Sequence, residues 1–349
     1  MDKFTISEGW RKTLTCALAL SLAGARMALA SDPLPGDLVA PPPNVNIVLY
    51  YNEFSDAGAL QPVHGHGYAK DTHISADVQA LRYIRTFNID GMLSGVQVVE
   101  PYVSFIGHQT VGVASTPFGP GRASLEHGGG FAQPWFGTFI FPVANPGTGT
   151  YLVTGVWLYP PIGSYDKDAS LNYSKNLWEG EIEIGARKVL LGDPAGQNLS
   201  AELWGEGYFF GSNGSAAYPS PAVSANNIPA IYQEFGVHNP IVAASAIPAK
   251  LSEEPEGEIH IYFPYQFFAP TRAQIVPGFY QSFGGKQVYT LANGTKLDSS
   301  VRSEESQLRL VLSTYLSPHW QVQLNGEYDI AAHGNSMNRN VELRVAAVF

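Results

Sequence analysis

The chain has 349 residues, 45% of them hydrophobic and only 14% charged, with 36 glycines and a formal net charge of −10. An acidic balance of this kind excludes the basic face that a nucleic-acid footprint requires, so no nucleic-acid partner is expected. No apolar run reaches the roughly 18 residues of a membrane helix, so the chain could cross a bilayer only as a closed sheet, which leaves no backbone group unpaired in lipid.

Residues 1–30 read as a cleaved export signal. Arg11 and Lys12 form a basic start, residues 14–23 an apolar stretch, and Ala28-Leu29-Ala30 a small-residue cleavage site before Ser31. The single cysteine, Cys16, lies inside the apolar stretch rather than after it, which argues against lipidation. Cleavage would leave no thiol chemistry, 16 basic and 28 acidic residues, and a net charge near −12. A Pro-rich segment, 31–43, follows; it could fold into a lumen or lie in the periplasm, and the sequence leaves both open.

From residue 44 onward helical periodicity is nearly absent and strand-like runs recur. Twelve are expected, over 44–54, 73–87, 93–106, 130–142, 149–160, 176–189, 199–211, 256–268, 272–285, 305–316, 319–332 and 339–349. An even number is what a single-chain outer-membrane barrel requires. Residues 229–237 could supply a thirteenth strand; that would break the parity, so they are assigned to the loop 212–255. The links 88–92, 143–148, 190–198, 269–271, 317–318 and 333–338 are short, with turn residues such as Asp90-Gly91, Asn145-Pro146-Gly147 and Asp193-Pro194. The links 55–72, 107–129, 161–175, 212–255 and 286–304 are long. Short periplasmic turns alternating with long outer loops is the layout of an up-and-down transmembrane barrel.

The pleat is legible in several strands. In the eleventh, Trp320, Val322, Leu324, Tyr328 and Ile330 alternate with Gln321, Gln323, Asn325, Glu327 and Asp329. In the sixth, Trp178, Ile182, Ile184 and Ala186 alternate with Glu179, Glu181, Glu183 and Arg187. In the seventh, Leu199, Leu203 and Phe209 should face lipid, with Glu202, Trp204, Glu206 and Tyr208 inside. In the eighth, Ile259, Ile261, Phe263 and Phe267 should face lipid, with Glu258, His260 and Tyr262 inside. The second strand is irregular, since Ser75, Asp77 and Gln79 share a face with Leu81 and Tyr83, and a bulge is expected there. The last strand alternates Val341, Leu343, Val345, Ala347 and Phe349 with Glu342 and Arg344. It stops on the aromatic residue, the ending expected of a strand that closes an outer-membrane barrel and is handled by the barrel-assembly machinery.

The expected lumen-lining residues are therefore Glu179, Glu181, Glu183, Arg187, Glu202, Trp204, Glu206, Tyr208, Glu258, His260, Arg272, Arg309, Glu327 and Asp329. Two readings of so many charges are compatible: a paired ladder that holds the interior together, and a polar wall along a solute path. His64-x-His66 with His73 has the look of a metal cluster but sits in a Gly-rich stretch without supporting carboxylates, so no metal and no cofactor are expected. His127 followed by three glycines lacks the Lys-Ser/Thr of a phosphate loop. No G-x-S-x-G elbow is present, and the pair His260 and Ser282 is too unspecific in spacing to carry a hydrolase; no enzymatic activity is expected.

One local pattern is more specific. Pro160-Pro161-Ile162-Gly163-Ser164-Tyr165-Asp166, then Leu171-Asn172-Tyr173-Ser174-Lys175-Asn176-Leu177-Trp178, resembles the family named for the meta-cleavage pathway of phenol degradation. Leu34-Pro35-Gly36-Asp37, Pro41-Pro42-Pro43 and Leu49-Tyr50-Tyr51 support the resemblance, as do strands eight to twelve with the terminal Phe349. The family's Gly-Leu-Gly-Asp stretch is only partly matched, by Gly128-Gly129-Gly130-Phe131. The resemblance implies a barrel in the outer membrane of a Gram-negative cell that admits small hydrophobic or aromatic compounds, and it carries over no catalytic residues. The motif positions are Pro161, Gly163, Tyr165, Asp166, Asn172, Asn176 and Trp178; at Asp166, Asn172 and Asn176 a carboxylate and side-chain amides that cap turns explain the pattern without a binding role. The alternative function is a structural or adhesive barrel with a closed lumen. The expected partners are outer-membrane lipid and a small hydrophobic solute.

Overall fold

The structure is a computed structural model, which describes residues 32–60, 69–116, 119–124, 127, 129–167, 169, 171–218, 247–298, 303–333 and 336–349. The export segment, His64, His66 and residues 229–237 lie outside the described residues. Twelve long antiparallel strands form one sheet: β1 (Asn46–Leu60), β2 (Ala69–Ile89), β3 (Met92–Phe105), β4 (Trp135–Asn145), β5 (Thr150–Tyr159), β6 (Glu179–Gly192), β7 (Asn198–Phe210), β8 (Glu256–Tyr262, resumed at Tyr265–Phe268), β9 (Ala273–Gly284), β10 (Ser303–Ser317), β11 (Trp320–His333) and β12 (Ser336–Val348). Each pairs with its neighbours in sequence, and β12 pairs with β1 from Ile47–Val348 to Leu60–Ser336. The sheet is thus a closed barrel in which no edge remains.

All twelve expected strands are present. The differences lie at the outer ends. β1 and β2 continue pairing well into the expected loop 55–72, past a register shift between Ala57 and Ala59. The loop 107–129 folds back as a hairpin of Thr110–Thr116 with Gly119–Ser124. Strand four begins at 130 as expected, with Gly130–Phe131 pairing to Val103 and Tyr102, but is interrupted before Trp135, where Gln133 turns inward and donates to the carbonyls of Tyr159 and Leu177 at 2.8 and 2.9 Å. The expected bulge in β2 is absent: Arg85 to Ile74 pairs without a break with Asn46 to Ala57. Asp77 and Gln79 simply face outward, where Asn52 Nδ2 donates to Asp77 at 2.5 Å and Gln79 donates to its other oxygen at 3.2 Å.

The loops between β7 and β8 and between β9 and β10 contain a second sheet, of Ser212–Tyr218, Ile247–Glu253, Gln287–Leu291 and Lys296–Asp298. Leu177, Ala216, Ala249, Leu251 and Tyr289 form its core. At the opposite end the links are tight, as at Asp90-Gly91, where both residues take the positive φ of a two-residue hairpin turn.

Burial is inverted relative to a soluble protein. Leu203, Leu310, Leu324, Ile182, Ile184 and Tyr328 are about half exposed on the outer wall, while Glu202, Gln307, Gln323, Asn325 and Asp329 are about 1% exposed within. An apolar outer band over a polar interior is the signature of a barrel whose solvent is lipid. Among the described residues no helix is long and apolar enough to cross a membrane.

Candidate functional site

The open question about the Pro-rich segment is answered by residues 32–41, which lie inside the barrel, while Pro42 and Pro43 are exposed where the chain enters β1. Leu34 and Leu38 are almost completely buried. Leu34 packs with Leu49, Tyr51, Trp135 and Trp157, and Leu38 with Trp204, Tyr262, Val276 and Val311. Polar contacts fix the segment on several sides. Asp32 pairs with Arg309 at 2.6 Å and Asp37 with Arg344 at 2.7 Å. Tyr262 donates to the Pro33 carbonyl at 3.1 Å, and Gln323 donates to that of Pro35 at 2.8 Å. Short and rich in proline, the segment has no room for a helix, and its exposed carbonyls are met by donors from the wall. It acts as a plug.

The expected lumen residues fall as follows. Glu181, Glu183, Arg187, Glu202, Trp204, Glu206, Tyr208, Glu258, His260, Arg309, Glu327 and Asp329 all face inward and are less than 9% exposed; Glu179 is half-buried at the outer end of β6. Arg272 does not line the lumen. It is exposed in the turn after Phe268, with φ 49°, and lies 5.3 Å from the Tyr315 ring. The chain leaves strand geometry at Ala269–Thr271, so the period-two count that placed Arg272 inside no longer applies.

Among the described residues, four inward arginines organise the charge. Arg187 pairs with Glu202, which also accepts from the Gly36 amide. Arg309 contacts Asp32, Glu327, Gln307, Tyr262 and His260, and stacks 4.5 Å from Tyr280. Arg344 holds Asp37, and Arg82 donates to Gln97 at 2.6 Å. Two of the four arginines therefore hold the plug, by its two aspartates.

Interleaved with these polar groups is a cluster of inward aromatic residues that the sequence reading missed. Trp135, Trp157 and Tyr159 face inward and are buried with Tyr51 of β1. Trp135 and Tyr159 stack with centroids 5.5 Å apart. Trp157 lies flat over Gly137 on β4, where a Cβ would fall 1.1 Å from its ring, so only glycine admits it. The pleat of β5 was hard to read because both faces are apolar: Tyr151, Val153, Trp157 and Tyr159 inside, Leu152, Val156 and Leu158 outside.

The motif loop is architectural. Gly163 passes so close to the strand-four entrance that a Cβ would sit 2.6 Å from the Ala132 backbone. Ser164 donates its amide to Phe131 at 2.7 Å. Asn172 bridges the Asp166 amide and carbonyl, both at 2.8 Å. Asn176, at φ 52°, donates to Asn213 of the outer sheet at 3.3 Å. Pro161 and Tyr165 are half-buried and Trp178 is exposed. These contacts tie the loop to β4 and to the outer sheet. Lys175 in the same loop pairs with Glu253 at 2.7 Å, and burial pushes the Glu253 carboxyl up to about 7.

His73 is exposed beside Asp56, and His127 bridges to Leu171 at the surface. His260 and Ser282 sit out of register on adjacent strands: His260 pairs with Tyr280, and Ser282 with Glu258. The described residues contain no His260–Ser282 hydrogen bond.

Fold and interior together define a twelve-stranded transmembrane β-barrel whose lumen is occupied by its own N-terminal segment. The resemblance read from the sequence holds: the family described as "Putative MetA-pathway of phenol degradation" matches residues 54–204. Among solved structures, the COG4313 outer membrane channel from Pseudomonas putida F1 is similar to this chain, with a TM-score of 0.69 and 19% identity over 91% of this chain and 100% of that one. At that identity the likeness shows the fold. The transport unit of the autotransporter AIDA-I from Escherichia coli (TM-score 0.46, 7% identity, 97% and 99% covered) and the β domain of the Bordetella autotransporter BrkA (0.43, 8%, 88% and 100%) are more distant and do not bear on function. No curated protein matches the sequence.

Proposed function

We propose that the chain is a passive, non-enzymatic channel in the outer membrane of a Gram-negative bacterium, admitting small hydrophobic or aromatic compounds past a movable plug. The observation that carries this reading is the aromatic inner wall of Trp135, Trp157, Tyr159 and Tyr51, against which Leu34 of the plug is packed. A non-polar solute gains the same kind of contact there that Leu34 makes, since face and edge packing on aromatic rings is indifferent to the detailed shape of an apolar partner. The matched family and the channel-like fold support the reading.

The plug also gives the alternative a specific footing. Asp32 and Asp37 use up two of the four inward arginines, as a permanently closed structural barrel would. Planar-bilayer recordings separate the two. A channel shows conductance events that a small neutral aromatic compound shortens or blocks in a dose-dependent way. A silent barrel under all voltages, with folded protein verified by heat-modifiable migration, supports the closed structural reading instead.

A further inference from the structure

Glu181 and Glu183 stand two residues apart on the inner face of β6, and Glu206 faces Glu183 directly across the β6–β7 ladder. One carboxylate oxygen of each lies within 4.8 Å of the other two. All three side chains are buried; among the described residues no inward arginine forms a salt bridge with them, and Arg82 acts on Glu183 only at longer range. Each is gripped at a single oxygen by an aromatic donor. The Tyr159 hydroxyl donates to Glu181, Trp157 Nε1 to Glu183 at 3.1 Å, and the Tyr208 hydroxyl to Glu206 at 2.7 Å. Fixing one oxygen in this way aims the other, which is how surrounding donors orient carboxylate ligands.

Two further observations point to an occupant. Glu206 Oε1 is buried without a hydrogen-bond donor. His260, fully buried on β8, points Nε2 at the same group, 3.6 Å from Glu206 Oε2, and that nitrogen also has no hydrogen-bond partner. The tautomer of His260 decides what the occupant can be. Arg309 Nη1 lies 3.2 Å from Nδ1, and a guanidinium only donates, so Nδ1 accepts and the hydrogen sits on Nε2. Nε2 then offers no lone pair to zinc or another nitrogen-seeking metal. An ion bound through oxygen, carrying water in its shell, meets both needs: it engages Glu206 Oε1, and its water accepts from His260 Nε2–H. An all-oxygen donor set with room for water suits Ca²⁺, which takes about six to eight oxygens at about 2.3–2.6 Å in flexible geometry, better than Mg²⁺, which demands near-ideal octahedral geometry at about 2.0–2.1 Å. We propose that Glu181, Glu183 and Glu206 form a site for one Ca²⁺ inside the barrel, with His260 bonded to a water of the ion.

Titration calorimetry of the purified, full-length, metal-stripped barrel tests this directly. Saturable uptake of one Ca²⁺ per chain is expected, with Mg²⁺ weaker. E183Q/E206Q should weaken Ca²⁺ binding by about tenfold or more, and Glu253→Gln, in the outer sheet and paired with Lys175, should not. Absence of saturable Ca²⁺ uptake, or equal uptake by E183Q/E206Q, overturns the assignment. Terbium luminescence of the wild type covers the case in which the double variant does not fold. Tb³⁺ excited through tryptophan should emit, be displaced by Ca²⁺, and lose most of its emission in Trp157→Phe. No sensitised emission, or emission indifferent to Trp157, counts against the site. Neither readout depends on whether the barrel conducts.

Discussion

Replacing Leu324 by Arg tests the lipid-facing pleat where its cost should be largest. Leu324 is 46% exposed on the outer face of β11, flanked across both ladders by Leu312 and Leu343. It lies four residues above Trp320, which sits at the turn end of the strand. At roughly 3.4 Å per residue that is about 14 Å along the strand, and a tilt of about 40° reduces it to about 10 Å of height. In an apolar band about 25 Å tall this is close to the midplane, where an arginine costs about 2–4 kcal/mol. Trp320→Arg, on the same face but at the interface, should cost about 0–1 kcal/mol for the charge itself. Gln323→Arg acts on something else: Gln323 holds Pro35 and Ser313, so the new side chain presses on the plug rather than on lipid. Equilibrium unfolding in lipid vesicles with urea, followed by tryptophan emission or gel migration, measures these differences. Equal costs at positions 320 and 324, or a cost under about 1 kcal/mol at 324, would refute the assigned depth and face.

Other expectations concern the plug and the outer sheet. Leu38→Ala should weaken plug seating by about 2–5 kcal/mol while leaving the barrel ladder intact, raising the fraction of open time at least about thirtyfold; unchanged open probability in bilayers argues that the plug does not gate. Glu253 is predicted to make the outer sheet pH-sensitive. Its folded-state pKa of about 7 lies above the ordinary carboxylate value because burial disfavours the charge. Its contribution is therefore complete below about pH 4.5 and lost as pH rises through about 7. Hydrogen exchange should show falling protection in Ile247–Glu253 and Gln287–Leu291 across that window, once corrected for intrinsic rates, and Glu253→Gln should flatten the profile. A wild-type profile already flat would contradict the assignment.

The barrel was readable because each of its strands answers to two solvents. In β11 and β6 lipid demands apolar residues at every second position and the interior accepts Gln, Asn and Glu, so period two alone gives face, register and strand count. The same logic stops working where both sides of the wall are apolar, as in β5, which is why the aromatic wall of Trp157 and Tyr159 escaped notice. Arg272 was misplaced because a period count cannot see where a strand yields to a turn. In β2, Asp77 and Gln79 suggested a bulge, but they face outward and satisfy each other with Asn52, so the register holds from Arg85 to Ile74 and shifts only beyond it. The outer sheet and the hairpin at Thr110–Thr116 use short, small-residue strands with no lipid to impose a pattern. The plug's location depends on contacts more than two hundred residues apart, such as Asp37 with Arg344, and no local pattern encodes such a pairing.

Deletion of the plug is the most direct test that this barrel is a gated channel. The wild-type protein and a variant lacking residues 32–42 would be compared as single molecules in planar bilayers, with heat-modifiable migration confirming that both barrels are closed. The wild type should show brief, infrequent openings and the variant a steady, larger conductance. If deletion leaves an open-channel current unchanged, the plug is not a gate; if both proteins are equally silent, the barrel does not carry solutes through its lumen.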